Sequence, residues 1–283
     1  MPSVVIPAHN ESKVIHRCLT ALLHDEMPDD LQVVVVCNGC DDDTAAIAGS
    51  FEGVRVVETD TPSKTDAINL GENAVDGYPR LYLDADVELS QGGFGLLMDS
   101  LQGDVHAVAP TPRFEDSGSS LLVRMFYAAW TRMPFYNDSM IGGSGAYALS
   151  AEGRARFDVF PDLISDDGFV RLQFPAHQRQ RVRSVTSTVH CPSRMSDLIA
   201  MMTRVRAGGI ELRTRYPGLH AREETTRRDG IRTMLSNPAL WPCFLVYGIT
   251  RLITRRRAGR MLESLKTTGT TWPRDDSSRV RGA

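Results

Sequence analysis

Short β-branched runs alternate with helically spaced apolar positions over the first ninety residues. Val4-Val5-Ile6 reads as a buried strand closed by Pro7. Val14, Ile15, Cys18, Leu19, Leu22 and Leu23 recur at the spacing of one helix face. Residues 33–36 are four consecutive valines, which fits a strand covered on both sides. A helix start at residues 44–48, a strand at 54–57, a helix at 65–73 and a strand at 81–83 continue the series. Repeated βαβ units predict an α/β fold, a mostly parallel central sheet with helices on both faces. Ligands sit at the carboxyl ends of the strands in such sheets. Residues 7–11, 38–44 and 84–86 all fall there.

The middle of the chain is less regular. Residues 116–120 read as a loop, Leu121–Trp130 as an apolar helix and Ala146–Leu149 as a short strand after Gly142-Gly143-Ser144-Gly145. Asp166-Asp167 opens a further helix, and residues 182–189 form a strand ending before Cys191-Pro192. Arginine-rich helical patterns follow, including residues 201–205. Residues 237–253 are apolar apart from Arg251 and lead into Arg255-Arg256-Arg257. With two prolines and an internal arginine, that stretch is too poor for a membrane span. It reads either as an interfacial amphipathic helix or as a terminal core helix with a solvated basic end. The predicted organisation is one α/β unit over residues 1–195, made of a regular half at 1–90 and a less regular half at 91–195. A basic helical extension over 196–267 follows, then a flexible tail over 268–283.

Composition changes this picture in two respects. At 42% hydrophobic and 24% charged over 283 residues, the chain excludes disordered and collagen-like classes. Its five cysteines are scattered and odd in number, and no signal-peptide pattern precedes them. A reduced, cytoplasmic compartment is therefore expected. Cys37 and Cys40 form a C-x-x-C inside a turn and are read as incidental. The net charge of −3 hides an asymmetry: residues 201–283 carry +10 and the first 200 carry −13. The basic end is a candidate for peripheral contact with an anionic membrane face, and no nucleic-acid partner is expected.

Asp84-Ala85-Asp86 closes the apolar run Leu81-Tyr82-Leu83 and places two carboxylates one residue apart, a donor set for a hard divalent cation. Alone, such a pair is better explained by an acidic turn at a strand end. Here it follows three other segments at strand ends. Val4-Val5-Ile6-Pro7-Ala8-His9-Asn10-Glu11, Cys37-Asn38-Gly39-Cys40-Asp41-Asp42-Asp43-Thr44 and Ser63-Lys64-Thr65-Asp66-Ala67-Ile68-Asn69-Leu70-Gly71 precede it in order. With Asp166-Asp167 further on, the chain from about residue 4 to 171 resembles the family 2 glycosyltransferases, which have the GT-A fold.

The resemblance implies a nucleotide-diphosphate sugar, UDP-, GDP- or dTDP-linked, whose base and ribose lie near Pro7, His9, Glu11 and Asn38. Asn38 stands where Asp is usual, and it also suits an Asn-Gly turn. Lys64 would help position the nucleotide; as a lone residue it could equally be a solvated lysine at a helix start. A Mg²⁺ or Mn²⁺ ion would sit between Asp86 and the diphosphate, with Asp84 nearer the ribose. Asp167 would be the general base of an inverting transfer to an acceptor hydroxyl, with Asp166 in place of the usual Glu; the bland alternative is a helix cap. His190 is a candidate third metal ligand, though a strand-end histidine is more often structural. Gly143 and Ser144, in a glycine-rich run, would let backbone approach the donor sugar or acceptor.

No Q-x-x-R-W motif is complete, so a single transfer is expected rather than a processive polymerisation. The acceptor, lipid-linked among the options, would be chosen by residues 116–140 and the basic C-terminal third. Two rivals stand beside this reading. One is a haloacid dehalogenase-like phosphatase, whose D-x-D follows its first strand. The other is a non-catalytic membrane-associated protein of the same fold.

Overall fold

The computed structural model describes residues 1–24, 27–133, 141–220 and 237–268. The first ninety residues build β1 (Ser3–Ala8), α1 (Ile15–Leu23), β2 (Gln32–Asn38), α2 (Thr44–Gly49), β3 (Val54–Thr59), α3 (Lys64–Asn73) and β4 (Arg80–Leu83), close to the pattern of apolar positions. The middle supplies β5 (Glu88–Leu89), α4 (Gly93–Asp99), β6 (Ala107–Glu115), α5 (Leu121–Trp130), β7 (Ala146–Leu149) and α6 (Ala151–Arg154). Next come α7 (Asp166–Leu172), β8 (Arg179–His190), α8 (Met195–Arg215), the single turn α9 (Pro217–His220) and α10 (Trp241–Thr268). The expected flexible tail lies almost wholly outside the described residues.

The strands form one sheet in the order β3-β2-β1-β4-β7-β6-β8-β5. Its first half is parallel, as the βαβ pattern predicts. Beyond β4 it is mixed: β7 is antiparallel to both β4 and β6, β6 and β8 are parallel, and β5 is antiparallel to β8.

Two sequence expectations need correction. Pro7 does not end β1, which runs on through Ala8 in register with Cys37. The Ser3 amide donates toward the β4 side, to Pro79. By the two-residue period, Pro7 lacks its N–H on that same side, where pairing has already stopped at Val5–Tyr82. No ladder bond is lost. The nine-residue β6, which contains Pro110 and Pro112, was not foreseen. The β6–β8 register slips between Pro110 and Thr111, and the bulge accommodates them.

Alternation along the strands divides the core. Val4, Ile6, Val33, Val35, Leu81 and Leu83 face α1 on one side. Val5, Val34, Val36 and Tyr82 face Ala67 and Ile68 of α3 and Phe169 and Val170 of α7 on the other. Gly71 allows α3 to lie this close, since a Cβ there would stand 2.5 Å from Val5 Cγ1. A third cluster lies off the sheet, where Phe126 and Tyr127 of α5 meet Leu198 of α8 and Phe244 and Tyr247 of α10. Residues 237–253 therefore do pack as core on one side. The other side of α10 stays open, with Trp241, Leu245, Ile249 and Leu252 exposed by 51–65%. No described helix is long and apolar enough to cross a membrane.

A buried ion network ties α3 to β4 and α6. Glu72 receives Arg80 at 3.0 Å and Arg154 at 2.6 Å, and the Tyr82 hydroxyl also donates to it. Burial opposes the Glu72 carboxylate, yet hydrogen bonds from Arg154 and Tyr82 outweigh it and hold its pKa below the ordinary value. The stabilisation is thus complete above the usual glutamate range and is lost as pH falls through the lower folded value. Glu72→Gln leaves two buried guanidinium groups uncompensated, and a loss of about 3–5 kcal/mol is expected. Urea unfolding at pH 7 and at successively lower pH checks both points, because the gap between wild type and variant should narrow on acidification.

Candidate active site

The ends of β1, β4 and β7 and the start of α7 converge on a cleft of about 500 Å³. Pro7, Lys64, Asp84, Asp86, Gly143, Ser144, Asp166 and Asp167 all line it. Local sequence explains how each is presented. The Ser63 hydroxyl caps α3 by accepting the Asp66 amide at 3.2 Å, so the helix begins at Lys64 and puts that side chain at the cleft. Asp84 and Asp86 follow the last residue of β4, with Ala85 buried between them. The Asp84 amide donates to the Gly145 carbonyl at 2.8 Å, which fastens the acidic turn to the glycine run.

Those glycines have a packing reason of their own. Gly145 has a φ of +64°, and a Cβ on it would come within 2.4 Å of Val87 Cγ2. The Gly143 amide donates to Asp167 Oδ2 at 3.0 Å. Asp167 Oδ1 accepts the Gly168 amide at 2.6 Å and the Ser165 hydroxyl at 3.2 Å. Asp167 therefore belongs to the first turn of α7 and faces the cleft as well, so the capping and site readings coexist. Ser144 is buried, with its hydroxyl donated to Ala146.

Lys64 is not a free surface lysine. Its ammonium stands 2.8 Å from Asp84 Oδ1 and 3.1 Å from Asp166 Oδ1. Burial disfavours the ammonium, but the Asp166 and Asp84 carboxylates more than offset that and raise its pKa above the ordinary lysine value. Asp166 is 5% exposed, and burial pushes its carboxyl upward while Lys64 pulls it down. Burial likewise pushes Asp84 up to about 6, against the pull of Lys64 and with Asp166 and Asp86 adding to the rise. Asp84 keeps part of its side chain open to the cleft, so water screens some of this effect.

Four predicted residues lie apart from this cleft. His9 donates its ring Nδ1 hydrogen to the Asn38 carbonyl, the Glu11 backbone amide donates to the Thr44 hydroxyl at 2.7 Å, and Asn38 gives its side-chain amide to the Ala8 carbonyl at 2.8 Å. These bonds knit the tips of β1 and β2 together, as do Asp42 with Thr44 and Ser12. His190, read as a third metal ligand, is placed differently: its Nε2 lies 2.8 Å from Glu88, which also faces Arg17. The pairing of β5 with β8 brings Glu88 opposite Thr188, so a carboxylate from β5 meets the end of β8 before Asp86 can. Among the described residues, no three His, Cys, Asp or Glu side chains gather as a ready metal cage. Cys37 and Cys40 remain thiols, and burial pushes Cys37 up to about 12.

Apart from Pro7, the sequence reading named none of the apolar lining residues singly, although it assigned the acceptor to residues 116–140 and the C-terminal third, where Tyr127, Trp130, Met201 and Met202 lie. Phe114 and Val189 join these four on the lining, and Arg171 and Arg204 also reach the cleft. The aromatic spacing along α5 also hinted at it. Tyr147 was missed too; it stacks on Tyr82 at 4.9 Å, and its buried hydroxyl has no partner among the described residues.

Comparison with known proteins agrees with the fold. Residues 3–160 match the sequence profile described as Glycosyl transferase family 2. No curated protein sequence matches. The solved mannosyltransferase PcManGT from Pyrobaculum calidifontis, in complex with GDP-Man and Mn²⁺, is similar over 95% of this chain and 76% of that one, at 18% identity and a TM-score of 0.61. Glucosyl-3-phosphoglycerate synthase from Mycobacterium tuberculosis, in complex with UDP, is similar over 78% and 79%, at 20% identity and a TM-score of 0.55. The same synthase is solved with Mn²⁺, UDP-glucose and glycerol 3-phosphate, at 19% identity and a TM-score of 0.53. At such identities these likenesses speak for the fold alone. The family profile spans more than half of the residues, and this chain belongs to glycosyl transferase family 2, a glycosyltransferase built on the GT-A fold.

Proposed function

We propose that the chain moves one sugar from a nucleotide-diphosphate sugar to an acceptor hydroxyl with inversion at the anomeric carbon. The observation that carries this reading is that Asp86 and Asp167, far apart in sequence, line the same cleft. Asp167 takes the proton of the acceptor hydroxyl as its oxygen bonds to the anomeric carbon. The bond from that carbon to the diphosphate breaks on the opposite side, and its electron pair leaves with the nucleoside diphosphate. The amides of Gly143 and Gly168 hold the Asp167 carboxylate in one orientation, which suits a positioned base. Lys64, beside Asp84, offers a positive charge to phosphate oxygens.

The donor set fits a divalent cation of the Mg²⁺ or Mn²⁺ kind. Asp86, with Asp84 nearby, supplies hard carboxylate oxygens, and four carboxylates face the cleft against Lys64. Such an ion, when bound, neutralises charge on the departing diphosphate. His190 is left out of this set because of its bond to Glu88. The solved relatives that contain Mn²⁺ with GDP-Man or UDP lend the reading support.

The exposed apolar face of α10 supports a peripheral membrane contact. Trp241, Leu245, Ile249 and Leu252 share that face ahead of Arg255, Arg256 and Arg257, so apolar insertion and attraction to anionic headgroups would act together.

Three outcomes follow. In a thermal-shift screen of UDP, GDP and dTDP, one nucleotide should raise Tm, and the rise should need Mn²⁺ or Mg²⁺; no response to any of them sinks the donor reading. Asp167→Asn should lower kcat by about 10²–10⁴-fold while the nucleotide-dependent Tm rise persists; unchanged turnover removes Asp167 as base. Sedimentation with vesicles containing anionic lipid should retain the protein at low salt, and retention should fall at high salt and in Leu245→Glu. Equal behaviour of wild type and Leu245→Glu would refute the membrane contact.

A further inference from the structure

The cleft is asymmetric in a way that bears on the acceptor. One part of its lining carries the carboxylates and Lys64; another comes largely from the third hydrophobic cluster and is mostly apolar. Trp130 of α5, Val189 of β8 and Met201, Met202 and Val205 of α8 belong to that second part. Met201, Met202 and Val205 recur at one-face helical spacing, so α8 turns a continuous apolar strip to the cleft. Methionine suits an apolar ligand of no fixed shape, since its unbranched thioether adapts to irregular contacts.

Arg204 stands beside this strip. It lines the cleft, is half-buried, and has no acidic partner among the described residues. Nothing about packing α8 against α10 calls for an arginine there. The packing of α8 on Ile164, elsewhere on the cleft lining, is already served by Gly208, whose Cβ position lies 3.0 Å from that side chain. A cation at the edge of an apolar strip favours a ligand that offers an anion and a hydrocarbon body together.

We propose that the acceptor half of the cleft binds an amphipathic anion, with its apolar body along Trp130, Met201, Met202 and Val205 and its phosphate or carboxylate at Arg204. The proposal rests on the transferase reading for the meaning of the site, although the subsite itself is defined by its wall. The acceptor class is then a hydroxyl-bearing amphiphile whose anionic group anchors it beside the reacting centre. A small hydrophilic sugar would leave the strip wetted and Arg204 unpaired, and it fits the wall less well.

Titration calorimetry with butyl, hexyl and octyl phosphate below their micelle concentrations tests this. Inorganic phosphate is the chainless control and 1-octanol the chargeless one. Affinity should rise by about fourfold per added methylene over part of the series. Octyl phosphate should exceed both controls by at least about tenfold. Arg204→Ala should bring octyl phosphate down to the level of 1-octanol, and Met202→Asp should flatten the chain-length dependence. The metal-dependent nucleotide response, measured in parallel, should persist in both variants. A rising series without any nucleotide response would keep the amphipathic subsite and discard the donor reading. A flat series, or inorganic phosphate binding as tightly as octyl phosphate, overturns the proposal. So does a chain-length dependence abolished by Leu245→Glu but not by Met202→Asp, which would place the ligand on the outer face of α10.

Discussion

One ammonium group holds the cleft together. Lys64, from the first turn of α3, lies between Asp84 after β4 and Asp166 at the start of α7, within 3.1 Å of both. Asp86 and Asp167 line the same cleft. Two like charges about 4 Å apart repel by about 4 kcal/mol at the effective dielectric constant of a protein surface region. Four carboxylates could not share this space at neutral pH without a counter-charge. Lys64 supplies it directly for Asp84 and Asp166, whose carboxyls burial pushes upward while Lys64 pulls them down. With Arg171 and Arg204 also on the lining, the four carboxylates still outnumber the cations by one, so a divalent cation and a nearby ammonium are chemically consistent with each other.

The scaffold serves this arrangement by rigid means. Glu72 locks α3 to β4 and α6 through Arg80 and Arg154, at the end of α3 opposite to Lys64. Asn69 pins the same helix to residue 160 with a reciprocal pair of bonds, both 2.9 Å long. Gly71 brings it into contact with Val5 and Val36. A helix held at three points leaves its first residue little freedom, so Lys64 meets both carboxylates without help from a ligand. On the far side, Gly208 lets α8 approach Ile164 and Ser165, next to Asp166 and Asp167. The basic C-terminal part is thus not a mere appendage; α8 forms one wall of the site.

Much of this was legible along the chain. The valine runs of β1 and β2, the helix face of α1 and the boundaries of α5 and β7 came directly from apolar periodicity, because each element is covered on the sides its pattern requires. The placement of residues 7–11, 38–44 and 84–86 at strand ends followed from the rule for parallel sheets, whereas Lys64, Asp166-Asp167 and the glycine run were singled out by the family resemblance. What escaped were the prolines inside β1 and β6. Local propensity counts a proline as a breaker, whereas the cost depends on which neighbour its missing N–H would face and on whether a bulge relieves it.

Residue order and type determined that residues 7–11, 38–44 and 84–86 would meet at one end of an α/β sheet, since parallel strand direction carries them there. Only the folded chain decided which groups pair. It gave His190 to Glu88 and tied the segments after β1 and β2 together through the His9 ring, the Glu11 backbone amide and the Asn38 side-chain amide. It also set an apolar strip of α8, with Arg204, on the same cleft as the carboxylates. Such choices depend on contacts between segments from 29 to 102 residues apart, and no local pattern records the distance between them.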